Sequence, residues 1–322
     1  VKLQQINRPL VSVCVITYQH SNFISQCLDN ILNQETDFPF EIIVGEDESS
    51  DGTREICLSY AKRFPQKIRL FLRSRKDIIV INGRPTGRYN FIECLKAAKG
   101  KYITICEGDD YWNDSFKLQK QFDFLHRNEE YVLSFHDCKI ISESGNTIRQ
   151  SQLLNRANDI SQQELLTGAF LPTRTVMFRN NLIDEFPPEF YKVEKADVFL
   201  FALLGQFGKA KFQGDISPAT YRMHPGGVWS PLSLKDKMKG RINTYECLVK
   251  IIQHPFKKVA KAKLSQIYHV MFIECLKEGN LLHAIKFWMH SIKSLVNSSR
   301  PITEFLLFHL ASYRRKILNS NF

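Results

Sequence analysis

Leu10–Ile16 reads LVSVCVI, Phe40–Thr53 reads FEIIVGEDESSDGT, and Lys101–Trp112 reads KYITICEGDDYW. Each opens with a short apolar run rich in β-branched residues, the signature of a strand buried on both faces. The second and third runs then pass directly into acidic loops. Between them lie helical patterns. Ile24, Leu28, Ile31 and Leu32 share one face after Ser21, a candidate N-cap, and further helices are predicted near Thr53–Phe64, Tyr89–Ala98 and Asp114–Arg127. Gly100 suits the residue just past a helix end. Lys67–Leu72 adds a strand. Strands alternating with helices at this pitch predict an α/β fold, a Rossmann-like, mostly parallel sheet flanked by helices. Ligands of such sheets bind beyond the carboxyl ends of the strands, where the acidic loops fall.

Outward from this core the pattern is less regular. Strands are predicted at Tyr131–Ile141, Thr175–Phe178, Ala210–Phe212 and Ala219–Met223, with a helix at Lys195–Phe207. From Ser233 the chain turns helical, with segments near Leu234–Gln253, Phe256–Lys277, Leu281–Val296 and Ile302–Leu318. The chain has 322 residues and a net charge of +11, unevenly placed. Val1–Leu232 balances 28 Lys+Arg against 28 Asp+Glu, whereas Ser233–Phe322 carries 16 against 5. Two regions are therefore expected: 1–232, which is neutral and carries the acidic loops, and 233–322, a basic helical appendage suited to something anionic. No apolar run approaches the roughly 18–20 residues that span a bilayer. The eight cysteines form no C-x-x-C pair and sit mostly in apolar stretches, which predicts buried free thiols.

Asp47 closes the second strand, where a carboxylate can accept hydrogen bonds from a base N–H or ribose hydroxyls. Asp51 reads first as a helix cap. In CEGDDYW, Gly108 permits close backbone approach, and Asp109 and Asp110 place two carboxylates at a strand end. Magnesium or manganese is commonly held by one or two carboxylates plus substrate phosphate oxygens. Because the pair lies in a loop, removing both side chains is expected to cost the fold little. Arg84 and Arg88 in NGRPTGRYN read on their own as solvated loop charges. Tyr221–Ser230, YRMHPGGVWS, reads on its own as a strand and a glycine turn. No nucleotide P-loop, H-E-x-x-H or G-x-S-x-G string occurs.

Taken together, VSVCVITYQH with SNFISQCLDNIL, FEIIVGEDESSDGT, and GKYITICEGDDYW with FKLQKQ resemble glycosyltransferase family 2, of the GT-A fold, and in particular members that build bacterial capsule and lipopolysaccharide glycans. The resemblance covers roughly Pro9–Trp229. It implies an inverting transfer of a sugar from a nucleotide-sugar, of UDP type, to a hydroxyl of a glycan or lipid-linked acceptor. It also implies roles. Thr17 and Tyr18 line the nucleotide pocket, Asp47 reads the base, and Arg84 and Arg88 lie in a donor-contacting segment. The D-x-D motif falls on Glu107-Gly108-Asp109, so Glu107 stands where the family has Asp, and either Asp109 or Asp110 binds Mn2+ or Mg2+. Asp197 matches the catalytic base, with Glu194 as the nearest rival. The segment holding Arg222, His224 and Trp229 folds over the donor.

Two other classes stand beside this one: a non-catalytic nucleotide-sugar-binding or scaffold member of a glycan-assembly complex, and a nucleotidyltransferase. Against the latter, no Gly-rich, basic loop follows the first strand. Nucleic acid is not an expected partner. A cytoplasmic protein is expected, peripheral on the inner face of the plasma membrane if the basic tail meets anionic lipid. The alternatives for the tail are helices packed on one another, or contact between copies of the chain.

Overall fold

A computed structural model describes residues 8–226 and 233–296. These form two compact units. The first holds residues 8–192 and 196–226; the second holds Val193–Lys195 and the C-terminal helices.

In the first unit the elements run β1 (Val11–Thr17), α1 (Ile24–Leu32), β2 (Phe40–Glu46), α2 (Thr53–Arg63), β3 (Ile68–Leu72), β4 (Ile79–Ile81), β5 (Arg84–Thr86), α3 (Arg88–Ala97), β6 (Tyr102–Glu107), α4 (Lys117–Arg127), β7 (Tyr131–Phe135), β8 (Cys138–Ser142), β9 (Thr147–Arg149), α5 (Gln162–Leu166), β10 (Met177–Arg179), α6 (Ala196–Leu204), β11 (Lys209–Phe212) and β12 (Ala219–Met223). The main sheet has the order β11-β7-β10-β6-β1-β2-β3. It is mostly parallel, as the alternating pattern predicts, but β10 runs antiparallel to both β6 and β7. Strand β1 sits between β2 and β6, and every residue of β2 is buried. That position explains the near-continuous apolar runs. Ile24, Cys27, Leu28 and Ile31 of α1 cover one side of this sheet core, joined by Trp112, Leu118 and Leu125.

Three local readings are corrected, and one element is new. Tyr131–Ile141 is not one strand: His136 and Asp137 interrupt it, and its halves enter different sheets, β7 the main one and β8 a three-stranded sheet of order β12-β8-β9. Asp137 fixes the break, since its Oδ1 accepts the N–H groups of Cys138, Gln152 and Leu153. Ser21 does not cap α1; its N–H donates to Asp51 Oδ2 at 2.9 Å. Gly100 does not close α3. A Cβ there would lie 2.6 Å from the Ser12 nitrogen, so its glycine serves close packing against β1. The hairpin β4–β5 was not anticipated.

The second unit contains α7 (Leu234–Ile251), α8 (Phe256–Lys277) and α9 (Leu281–Val296). Ser233 caps α7 by accepting the Asp236 N–H at 3.1 Å. Val193–Lys195 bind α7 through Glu194 N–H to Asn243 Oδ1 and Lys195 N–H to Thr244 Oγ1, at 2.9 and 3.1 Å. All eight cysteines are free and buried. No helix among the described residues is long and apolar enough to cross a membrane. The predicted helix Ile302–Leu318 lies outside the described residues.

Candidate active site

β1, β2 and β6 are neighbours, with Thr17 paired to Glu46 and Ile16 to Glu107 at their carboxyl ends. The loops beyond them therefore converge. Gly108 N–H donates to the Ile16 carbonyl at 2.9 Å, which lays the loop after β6 across the end of β1. A Cβ on Gly108 would come within 2.6 Å of Thr17 Oγ1 and 2.9 Å of His20 Nδ1, so the approach requires glycine.

His20 is held from both ends. Its N–H donates to Thr53 Oγ1 at 2.8 Å, and its carbonyl accepts the N–H groups of Phe23 and Ile24. Its Nδ1 meets the buried Thr17 hydroxyl at 3.2 Å, which leaves Nε2 facing Asp109, 3.8 Å from Oδ2. His224, directly after β12, brings its Nε2 to 3.0 Å from the same oxygen. One ligand atom from each of His20, Asp109 and His224 lies within 4.8 Å of the others. Burial acts to raise Asp109, but the hydrogen bond from His224 and the charge of His20 outweigh it and hold the carboxyl below its ordinary value. His224 is raised, chiefly by its hydrogen bond to Asp109, and His20 is lowered, chiefly by burial.

Asp110 does not join this cluster. Its Oδ2 accepts Arg174 Nε at 2.5 Å and its Oδ1 accepts the Arg222 N–H at 3.0 Å, and the residue is buried. Burial acts to lower Arg174, but the Asp110 charge outweighs it and raises the guanidinium well above its ordinary value. Asp110 is thus engaged within the protein, which leaves Asp109 as the one of the pair that faces the imidazoles. Glu107, the other acidic residue here, has a buried Oε2 with no hydrogen-bond partner among the described residues. Its pKa is raised, first by burial, with Arg174 opposing and the charges of Asp109 and Asp197 adding.

On the other side of Thr17, Asp47 N–H donates to the Thr17 carbonyl at 3.1 Å. Arg75 Nη1 reaches Asp47 Oδ2 at 3.2 Å, and the same guanidinium lies 4.1 Å over the Tyr18 ring. Burial raises the Asp47 carboxyl, and Arg75 opposes it. Arg75 was not singled out in the sequence. Asp51 is not itself the cap of α2, since Gly52 takes that place at φ 100, but Asp51 accepts the Thr53 N–H and hydroxyl at 3.1 and 2.6 Å.

Arg84 is exposed on the β4–β5 hairpin. Arg88 is buried at the start of α3, and burial lowers it to about 10, with the Asp197 charge acting against that. Asp197, in the first turn of α6, therefore acts electrostatically on both Arg88 and Glu107. Its rival Glu194 belongs to the second unit, where its carboxylate crowds Gly240: a Cβ there would lie 2.6 Å from Glu194 Oε2. Arg222 is occupied within the protein, bonding Gln26 Oε1 at 2.8 Å and the Asp109 and Glu143 carbonyls at 3.4 Å, with its guanidinium 4.8 Å from the Phe23 ring centre. It frames the cluster through the Asp109 carbonyl. Trp229 lies outside the described residues.

This sheet order and this cluster beyond its carboxyl edge define a GT-A fold, and the solved structures it resembles agree. The chain superposes with a TM-score of 0.59 on Staphylococcus aureus TarS 1-349 in complex with UDP-GlcNAc, at 16% identity, covering 88% of this chain and 81% of that one. With the mannosyltransferase PcManGT of Pyrobaculum calidifontis, in complex with GDP-Man and Mn2+, the TM-score is 0.57 at 17% identity, covering 95% and 80%. The Glycosyl transferase family 2 profile matches residues 12–186, and the chain belongs to that family. It is 33% identical over 220 residues to the uncharacterized protein Rv1520 of Mycobacterium tuberculosis, covering 68% of this chain and 60% of that protein. The chain thus matches less than two thirds of that relative's length.

Proposed function

We propose that this chain transfers a sugar, with inversion, from a nucleotide-sugar of UDP type to a hydroxyl of a glycan or lipid-linked acceptor in surface polysaccharide synthesis. The observation that carries the reading is the meeting of His20, Asp109 and His224 beyond the strand ends, within the electrostatic reach of a chain of charged groups that leads through Glu107 to Asp197.

The donor set fits a divalent ion. Two imidazoles and a carboxylate within 4.8 Å of one another, beside the unpartnered Glu107 Oε2, suit a first-row ion that accepts nitrogen, Mn2+ before Mg2+. His20, Asp109 and His224 would hold it, and when bound it supplies charge neutralisation to the departing diphosphate. Thr17 orients His20 through Nδ1. Asp47 and Tyr18, bridged by Arg75, contact the base, and Arg88 and Arg84 contact the donor. Arg222 orients the cluster through the Asp109 carbonyl. Asp197 takes the acceptor's proton as the acceptor oxygen bonds to the anomeric carbon, while the bond from that carbon to the diphosphate oxygen breaks and its electron pair leaves with the diphosphate.

A thermal-shift screen of UDP-, GDP- and TDP-sugars with and without manganese tests this, since a ligand that binds only the folded state raises its stability. UDP-sugars are expected to raise Tm only with manganese, and slow release of UDP should accompany binding. If no nucleotide sugar stabilises the protein and none is hydrolysed, the reading fails.

A further inference from the structure

Helix α9 has two faces that do different things. Ala284, Ser291 and Leu295 are buried, with Ser291 hydrogen-bonded to Ser265 of α8 at 2.8 and 3.0 Å and Tyr268 stacked 5.1 Å from His290. Beside this buried stripe Leu281, Leu282, Ile285, Trp288 and Met289 are 64, 83, 55, 47 and 61% exposed. At 100° per residue these five side chains fall in one arc centred on Ile285. A helix that has already buried one stripe normally presents polar residues there, and a contiguous apolar patch of this kind marks an interaction site.

The charge around the patch selects the partner. Lys286 and Lys293, seven residues apart, border one edge of the arc, and no Asp or Glu occurs between Glu278 and Glu304. Pairing α9 with α9 of a second copy would bring these lysines together with no acid on the helix to offset them. An anionic lipid surface complements them instead. The helix has 16 residues, about 24 Å of length, and it is not apolar enough to cross a bilayer. An apolar arc with an exposed tryptophan and a basic border suits a helix lying in the headgroup plane.

We propose that α9 docks this protein onto an anionic phospholipid bilayer, with Leu282, Ile285 and Met289 inserted at the acyl boundary and Lys286 and Lys293 among the headgroup phosphates. The surface is independent of the reaction proposed above. It is tested by co-sedimentation of the full chain with phosphatidylcholine vesicles with or without phosphatidylglycerol. Two double variants accompany it, Ile285→Asp with Met289→Asp and Lys286→Glu with Lys293→Glu. All four positions are exposed, and circular dichroism and Tm check that each variant is folded. The wild type should bind phosphatidylglycerol vesicles at low salt and be released as salt rises. Each double variant should bind at least roughly 30-fold more weakly. A wild type that stays in solution with anionic vesicles at low salt overturns the proposal, as does an aspartate variant that still binds like wild type. A wild-type dimer that the aspartate variant dissolves, without vesicle binding, assigns the face to a second copy and also overturns it.

Discussion

His224 Nε2 stands 3.0 Å from Asp109 Oδ2, joining the residue after β12 to the loop after β6 across 115 positions of sequence. Two carboxylates in CEGDDYW suggest a metal held by adjacent aspartates; the fold instead surrounds one of them with imidazoles. His224→Ala should therefore weaken Mn2+ binding in the presence of UDP by at least roughly tenfold, the lower end of what even outer-shell changes cost a metal site. Electron paramagnetic resonance titration of free Mn2+ reads this directly. Unchanged Mn2+ affinity in the variant would remove His224 from the ligand set.

Asp109 and Asp110 should respond differently to the same substitution. Asp110 is buried against Arg174, and removing one partner of a buried pair typically costs about 3–5 kcal/mol. Asp109→Ala, which leaves the buried Asp110–Arg174 pair intact, should cost less, about 1 kcal/mol, while abolishing metal-dependent donor binding. Urea denaturation of the two single variants separates them. Equal stability losses would mean that the Asp110–Arg174 pair carries no more than a surface contact does.

Asp197→Asn should keep donor affinity near wild type and lower transfer by a factor on the order of 10²–10⁴, the range for loss of a general base. Glu194→Gln should leave transfer nearly unchanged, since Glu194 packs against Gly240. Donor affinity by calorimetry and turnover with an acceptor distinguish the two. Near wild-type transfer by Asp197→Asn, with a defective Glu194→Gln, reverses the assignment.

What was legible in the sequence follows from the range of the interactions. β1, β2 and β6 lie at the centre of the sheet, so their burial is written into consecutive apolar residues and their acidic ends are readable as a ligand edge. The β4–β5 hairpin carried a local signal that went unused: Asn82-Gly83, at φ 51 and 75, is the left-handed pair that a two-residue hairpin turn requires. Other features had no local signal. Arg174 finds Asp110 64 positions away, and Arg75 finds Asp47 28 positions away. His20 sits in a loop, and only the fold places its ring between Thr17 and Asp109. The short antiparallel β10 is specified by its neighbours β6 and β7 rather than by its own three residues.

Lys117 gives a pH-dependent test of the core behind the site. It lies fully buried at the start of α4, its Nζ donating to Thr104 Oγ1 and Gln121 Oε1 at 3.0 and 2.7 Å and lying 4.0 Å from the Trp112 ring centre. No carboxylate is among these partners, and burial pushes the ammonium down to about 7. An unfolded lysine titrates near 10.4. Between those values the unfolded chain holds a proton that the folded chain has released, so this residue's contribution to stability rises with pH and is flat below about 7. Thiols act in the opposite sense at higher pH, because Cys57 and Cys94 are raised to about 12 by burial and stay protonated in the folded chain after unfolded thiols, near 8.5, have ionised. The clean window is therefore pH 7 to 8.5, and the comparison with Lys117→Met cancels every group common to both proteins. Across that window wild type should gain about 1–2 kcal/mol relative to the variant, read by urea denaturation at each pH. Parallel pH profiles for the two proteins would show that Lys117 keeps its charge in the folded state.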